Sequence, residues 1–335
     1  MSSLLSRFAQ NAFWMARYMQ RAENLARIID VNETFARNVK GENEWLPILR
    51  LHCDEDLYRE QSRPIDGPNV VRFYIIDNEN PNSIRQCAYF ARENARSIRH
   101  LVSLELWVQL NVFFNWANGL NARSLRTSEL SRLCGQIKES CQLHQGIVEN
   151  TLYRDQIYLF YKLGNLLELC DQTTRLVDIK YHALLPAVED VGSPQDVAQW
   201  NALLRSASAY HGFRRIYSSG MTPTNVAGFI LLDPDFPRSV RHCAAEIDHT
   251  LDSLLSRSVF DGIEFSPPSL AELKRLSEFT PEAIIAFGLN DYLDQVQLAL
   301  VQLGDQIGRQ FFMAQYSVDS ADGDKGPPPP SGQVQ

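Results

Sequence analysis

Glu23, Arg27 and Asp30 stand four and three residues apart, and Asp171, Arg175 and Asp178 repeat the pattern 148 positions further on. Residues at this spacing share one side of a helix, so each trio sets a guanidinium between two carboxylates. Two chemistries fit: reciprocal ion pairing between helices, or a polar cleft framed by fixed charges. A surface Glu23–Arg27 pair would contribute only about 0.3–0.5 kcal/mol, too little to explain a recurring pattern. A second set is wholly basic. Arg85, Arg92, Arg96 and Arg99 follow one another at intervals of seven, four and three, within about 60° of helical arc over roughly 20 Å of axis. The planar fork of arginine suits carboxylate or phosphate, so this stripe fits an anionic ligand; its other reading is pairing with Glu23, Asp30 or Glu93.

Other reaction types find little support. Neither common glycine-rich phosphate loop is present, and there is no Gly-x-Ser-x-Gly. His242, Glu246 and His249 resemble half of a di-iron helix-bundle site, but a second Glu-x-x-His is missing and the set reads as a solvated polar face. No metal is therefore expected. The six cysteines include no C-x-x-C pair and read as reduced thiols.

The elements that must carry these residues read as helices. Trp14, Tyr18, Leu25 and Ile29 fall on one side of a helix expected over 6–38, with Gln20, Glu23, Arg27 and Asp30 on the other. A loop follows at 39–43 and regular structure reopens at Trp45. Further helices are expected over 81–115, 129–152, 158–181, 194–218, 237–256, 269–278 and 281–316, with Asn80 able to cap the helix opened by Pro81 and Ser83 available in its first turn. The runs 73–76 and 229–232 read as short apolar turns of helix. Trp107, Phe113, Phe114 and Trp116 read as core. The fold class is all-α. The 335 residues are 44% hydrophobic and 21% charged, enough for one large or two ordinary cores. No apolar run is long enough for a membrane span and no signal peptide opens the chain, so a cytoplasmic location is expected. A formal net charge of −8 argues against a general nucleic-acid binder.

Self-comparison extends the first observation. Trp45-x-x-x-Leu49-Arg50 matches Trp200-x-x-x-Leu204-Arg205, and the window 69–87 shares eight identities with 225–243, from Asn69-Val70 on Asn225-Val226 through Cys87 on Cys243. The three matches keep one order. They imply an internal duplication with pseudo-twofold symmetry: a first helical repeat over 1–150, a second over 151–318 packed with it as one domain, and a disordered Pro/Gly-rich tail over 319–335. In the second copy the basic stripe becomes Arg241, Asp248, Asp252 and Leu255.

Several segments also carry a resemblance: Phe13 through Arg27, Asn80-Pro81-Asn82-Ser83-Ile84, Ala91-Arg92-Glu93-Asn94-Ala95-Arg96 with Arg99, Leu166-Leu167-Glu168 with Asp171 through Leu176, and Phe236 through Val240. Together they resemble the bacterial alpha-E family, helical proteins defined by a Glu-Arg motif. Members of that family are encoded beside, or fused to, a circularly permuted ATP-grasp protein, often with a transglutaminase-like protease and sometimes a proteasome-related peptidase. The resemblance implies a co-catalytic or non-catalytic helical subunit in ATP-dependent peptide or amide bond formation, with no independent activity. It implies no cofactor for this chain itself, ATP and Mg being those of the ATP-grasp partner. The candidate substrate-binding set is Arg17, Glu23, Arg27, Arg92, Glu93, Arg96, Arg99, Glu168, Asp171 and Arg175. The alternative is an interaction scaffold whose charged seams are salt-bridge networks. The family's dipeptide falls on Gln20-Arg21 and again on Glu168-Leu169, so each copy keeps one member. A pair acting across the pseudo-dyad would join Arg21 to Glu168, although this register puts Arg21 nearer the apolar side.

Overall fold

The computed structural model describes residues 3–36, 45–183, 194–217 and 220–312, and among these there is no strand. The fold is all-α, as the sequence pattern requires. In chain order the helices are α1 (Ser3–Ala36), α2 (Leu46–Leu51), α3 (Glu55–Glu60), α4 (Gly67–Ile75), α5 (Ile84–Ser97), α6 (Leu104–Gly119), α7 (Thr127–Thr151), α8 (Gln156–Ala183), α9 (Pro194–Ser206), α10 (Tyr210–Ile216), α11 (Pro223–Leu232), α12 (Val240–Leu255), α13 (Pro268–Ser277), α14 (Pro281–Phe287) and α15 (Leu289–Ile307). The expected loop at 39–43 and the tail over 319–335 lie outside the described residues. No helix among the described residues is long and apolar enough to cross a membrane.

The two longest helices, α1 and α8, pack on each other at the centre. Helices α5 and α7 flank α1, while α12 and α15 flank α8; α6 lies against α5 and α7, and α13 against α12 and α15. Helices α1 and α8 run in the same direction, since Phe13 abuts Gly164 and, four residues further along both, Arg17 meets Glu168. Gly164 makes the approach possible: a Cβ there would overlap the carbonyl oxygen of Phe13. Being enclosed, α1 is not amphipathic in the expected way. Its charged side is buried too, for Gln20, Glu23 and Arg27 are as inaccessible as Leu25 and Ile29.

Several long helices of the sequence reading are broken. The stretch 81–115 is α5 and α6, separated by turns at 98–103 and restarted by Ser103, whose hydroxyl accepts from the Leu106 amide. The first of these is capped by Ser83 rather than Asn80: the Ser83 hydroxyl accepts from the Gln86 amide, and the Asn80 side chain instead ties the preceding turn to Phe73. Positive φ at Ser208 (59°) divides 194–218 into α9 and α10, and Gly288 (φ 103°) divides 281–316 into α14 and α15. Apolar runs at 73–76 and 229–232 belong to helical segments, as expected. Of the four aromatics assigned to the core, Phe113 is buried and Trp107, Phe114 and Trp116 are half-buried.

The helix ends repeat a small set of devices. Ser83 accepts from Gln86 and donates to the Asp77 carbonyl; Ser239 accepts from His242 and donates to the Asp233 carbonyl. Arg85 donates to the Ala117 and Leu120 carbonyls at the end of α6, and Arg241 to those of Ser277 and Phe279 at the end of α13. Each arginine satisfies carbonyls that the helix terminus leaves without an intrahelical donor.

The close approach of α1 and α8 generates the first prediction. Gly164→Ala forces a methyl group against main chain that has no side-chain freedom to yield, and should cost about 2 kcal/mol or more. Gly146→Ala, on an exposed face of α7 with open space around it, should gain about 0.5–1 kcal/mol. Denaturant unfolding of the two variants checks this; equal effects would place the helix contact elsewhere.

Candidate functional site

At the α1–α8 contact the main chain presents Arg17 and Arg21, one turn apart, to Glu168. The Glu168 carboxylate is 1% exposed and would be costly to bury alone. Arg17 Nε donates to Oε2 at 2.9 Å; Arg21 donates from Nε to Oε1 at 2.7 Å and from a terminal nitrogen to Oε2 at 3.1 Å. Arg21 thus grips both oxygens as a fork, which is the stronger geometry. Gln172, one turn along α8, donates to Oε1 at 3.2 Å. The remaining terminal nitrogen of Arg21 reaches the Asn82 side-chain oxygen at 2.8 Å, which ties the entrance of α5 to the pair.

Aromatic rings wall the cationic side. Arg17 lies over Trp14 at 4.8 Å and Phe13 at 5.7 Å, and Arg21 over Tyr18 at 5.9 Å. Burial alone would push the Glu168 carboxyl up, but Arg21 and then Arg17 more than reverse it and hold its pKa at about 2. Burial works against the Arg21 charge, and Glu168 overcomes it, so Arg21 is held above the usual arginine range. Of the two arginines, Arg17 is attached to Glu168 only through Nε; their side chains are similarly exposed, at 22% and 19%.

The other charged trios are built differently. Glu23 receives Arg27 at 2.6 Å and Arg238, from the start of α12, also at 2.6 Å. Arg27 further donates to the Ser206 carbonyl and the Ser208 hydroxyl, and Arg238 to Asn24. Burial raises the Glu23 pKa, and Arg238 and Arg27 outweigh it, leaving it below the usual carboxylate range. On α8, Arg175 pairs with Asp171 at 2.8 Å and donates to the Leu51 carbonyl at the end of α2. Asp30 takes Ser131 and Lys138 of α7. Gln20 and Asn165 meet by a neutral hydrogen bond of 3.2 Å.

The basic stripe occupies another face. Arg92 donates to Asn111 of α6 and to Glu93, and lies over Trp107 and Phe114. Arg96 pairs with Glu93 at 2.5 Å but is 66% exposed. Arg99, beyond the end of α5, reaches the Val102 carbonyl and the Trp107 ring. None of these contacts touches Glu168 or Glu23, so the ten candidate residues form several groups. Glu246 pairs with Lys162, and His242 faces the Pro234 carbonyl. Among the described residues no three His, Cys, Asp or Glu side chains converge as a metal site.

Residues outside the candidate set complete the interior. Asn82, Gln172 and Arg238 bind its members directly, and Asp54 and His52 lie beside Arg21 and Arg175. Burial pushes the Asp54 pKa up to about 6 against the pull of Tyr74, Asn82 and the two arginines, and one of its oxygens is buried without a hydrogen-bond partner. Burial, aided by Arg175 and Arg21, holds the His52 pKa down to about 3. Arg238 sits within the quoted Phe236–Val240 segment and was legible as a motif residue. Asp54 carries no such signal.

Opposite pKa shifts predict opposite pH effects. Glu168, lowered to about 2, contributes stability that is present above its unfolded pKa and lost as pH falls from about 4.5 through 2. Asp54, raised to about 6 from 3.8, contributes stability that is full below 3.8 and lost as pH rises through 6. Asp54→Asn should therefore be on the order of 2 kcal/mol more stable than the parent at pH 8 and nearly equal to it at pH 4. Paired denaturation curves at the two pH values check this, and a constant difference would refute the shift.

Neither a curated protein nor a solved structure matches the chain. A family model does, over residues 4–312: Alpha-E, described as a predicted alpha-helical domain with a conserved ER motif. With nearly its whole length matched, the chain belongs to the Alpha-E family.

Proposed function

We propose that this chain is the helical subunit of an ATP-dependent amide-forming system, holding an acidic substrate while an ATP-grasp partner, with its own ATP and Mg, carries out the phosphoryl chemistry. The observation that carries this reading is charge. Arg17 and Arg21 bring two guanidinium groups to the single carboxylate of Glu168, and Arg17, joined to it by one nitrogen, keeps donors that a second carboxylate can use. Arg17, attached through Nε alone where Arg21 uses all three nitrogens, is the group that takes an incoming carboxylate in this reading. Arg21, Glu168 and Asn82 act behind it as positioning residues. ATP-grasp chemistry activates a carboxylate as an acyl phosphate for attack by an amine; a carboxylate fixed against Arg17 would be presented to the partner's phosphoryl donor. A transglutaminase-like protease acting on the product is a further proposed associate.

The proposal includes the duplication, with 1–150 and 151–318 as repeats about a pseudo-twofold axis inside one domain. Reciprocal contacts support it. Arg27 donates to the Ser206 carbonyl and Arg175 to that of Leu51, positions matched by the Trp45 and Trp200 segments. Cys53 and Ser208, equally matched, have φ of 57° and 59°. The same alignment sets Gln20 against Glu168, Asn165 against Arg17 and Leu169 against Arg21. One copy of the site would then be charged, and the other reduced to the Gln20–Asn165 hydrogen bond.

A second reading, the structural scaffold, is favoured by the saturation of Arg27, whose donors meet Glu23, Ser206 and Ser208. The two readings divide between clusters: Arg27 and Arg175 clamp helix ends, and Arg17 meets substrate.

Coupled ADP release, measured with the chain, its ATP-grasp partner and a panel of acidic amino acids and peptides, tests the proposal. Turnover should require both proteins. Arg17→Gln should lower turnover per folded molecule tenfold or more, as loss of a charge-assisted contact of at least about 1.5 kcal/mol implies. ATP turnover by the purified chain alone, or full activity of Arg17→Gln, would overturn the proposal. Loss of turnover in Arg96→Gln with Arg17→Gln unaffected would move the substrate to the exposed stripe.

A further inference from the structure

Far from Glu168 in sequence, the turn joining α6 to α7 borders an open recess of about 420 Å³ whose lining includes Trp116, Leu120, Arg123, Arg126, Glu129 and Arg132. Its charge is unlike that of the chain. Three arginines line it against one acidic residue, on a protein whose formal net charge is −8. Glu129 is engaged by Arg132 at 2.7 Å, which leaves Arg123 and Arg126, both exposed, to set the sign of the field. The 3₁₀ turn Ala122–Leu125 carries Arg123 and ends at Arg126, and so sets their main-chain positions. Its start is closed by a reciprocal cap in which Asn121 accepts from the turn and Ser124 accepts from the Asn121 amide.

The recess has an apolar wall as well. Trp116 is half-buried and stacks on Phe113 with ring centroids 6.1 Å apart and planes 21° apart, so its ring is fixed from behind by the α6 core. Leu120 and Leu133 continue that wall. Arg85 holds the Leu120 carbonyl from α5, which anchors the end of α6 against the turn. Helix α7 starts at the recess with Arg126 as its N-cap residue and no side chain capping its first amides. The arginines' planar forks suit a phosphate.

We infer that this recess is a binding site for a small phosphorylated molecule carrying a flat ring, with Arg123 and Arg126 on the phosphate and Trp116 against the ring. The volume lies within the range of small-molecule sites, and a fixed indole beside cationic forks matches an anion at one end and a π-face at the other. This site is separate from the Arg17–Glu168 cluster and does not depend on any role assigned there.

Titration calorimetry of the full chain with ADP as probe, and with pyrophosphate and adenosine as its halves, tests the inference. ADP should bind with Kd below about 1 mM, and each half should bind at least tenfold more weakly. Arg123→Gln with Arg126→Gln in one chain should raise the ADP Kd tenfold or more, and Trp116→Leu should weaken ADP while leaving pyrophosphate unchanged. Arg59→Gln, an exposed arginine on α3, serves as control and should change nothing. No heat from ADP at several millimolar, or equal binding by the double variant, would overturn the site. Pyrophosphate binding as tightly as ADP would overturn the assignment of the ring to Trp116.

Discussion

A carboxylate with 1% exposure cannot be left without cations, and much of this molecule is arranged around supplying them to Glu168. The two arginines that do so come from another helix more than 140 residues earlier in the chain. For both to reach one carboxylate, α1 and α8 must lie close and in register, which Gly164 allows by carrying no side chain against the Phe13 carbonyl. Arg21 extends the constraint to α5 through Asn82. One buried acid thus joins the middles of α1 and α8 to the entrance of α5, and its cations hold its carboxyl below the usual range in spite of burial.

The neighbouring charged groups are variations with a different outcome. Arg27 and Arg175 each hold an acid four residues back on their own helix and a main-chain carbonyl of a short helix end. Such contacts satisfy carbonyls that would otherwise be buried unpaired. Arg17 differs by joining its cluster through a single nitrogen.

Much of this was legible in the sequence. Helical periodicity gives an all-α fold, and recurrence of Glu23/Arg27 at Asp171/Arg175 marks the residues that become clamps. Arg21 and Glu168 were identifiable as the surviving halves of a divided dipeptide, and they do meet. Their burial was harder to foresee, because periodicity assumes a helix with one wet side, whereas α1 is exposed only at Arg7 and Thr34 among its described side chains. The basic stripe shows the converse error. Regular spacing implied one long helix, but turns at 98–103 interrupt it and leave Arg99 off the axis. Asp54 and His52 belong to short elements without periodicity, and their burial follows from tertiary packing alone.

The most direct measurement is a double-mutant cycle on Arg21 and Glu168, with Arg21→Met, Glu168→Met and both together followed by equilibrium unfolding. If the pair is the buried junction of α1 and α8, each single change leaves a buried charge short of a partner, and with Arg17 present in every variant the cycle isolates the Arg21–Glu168 part. The coupling should reach at least about 2 kcal/mol. A coupling below about 0.5 kcal/mol, the level of an exposed pair, would contradict it.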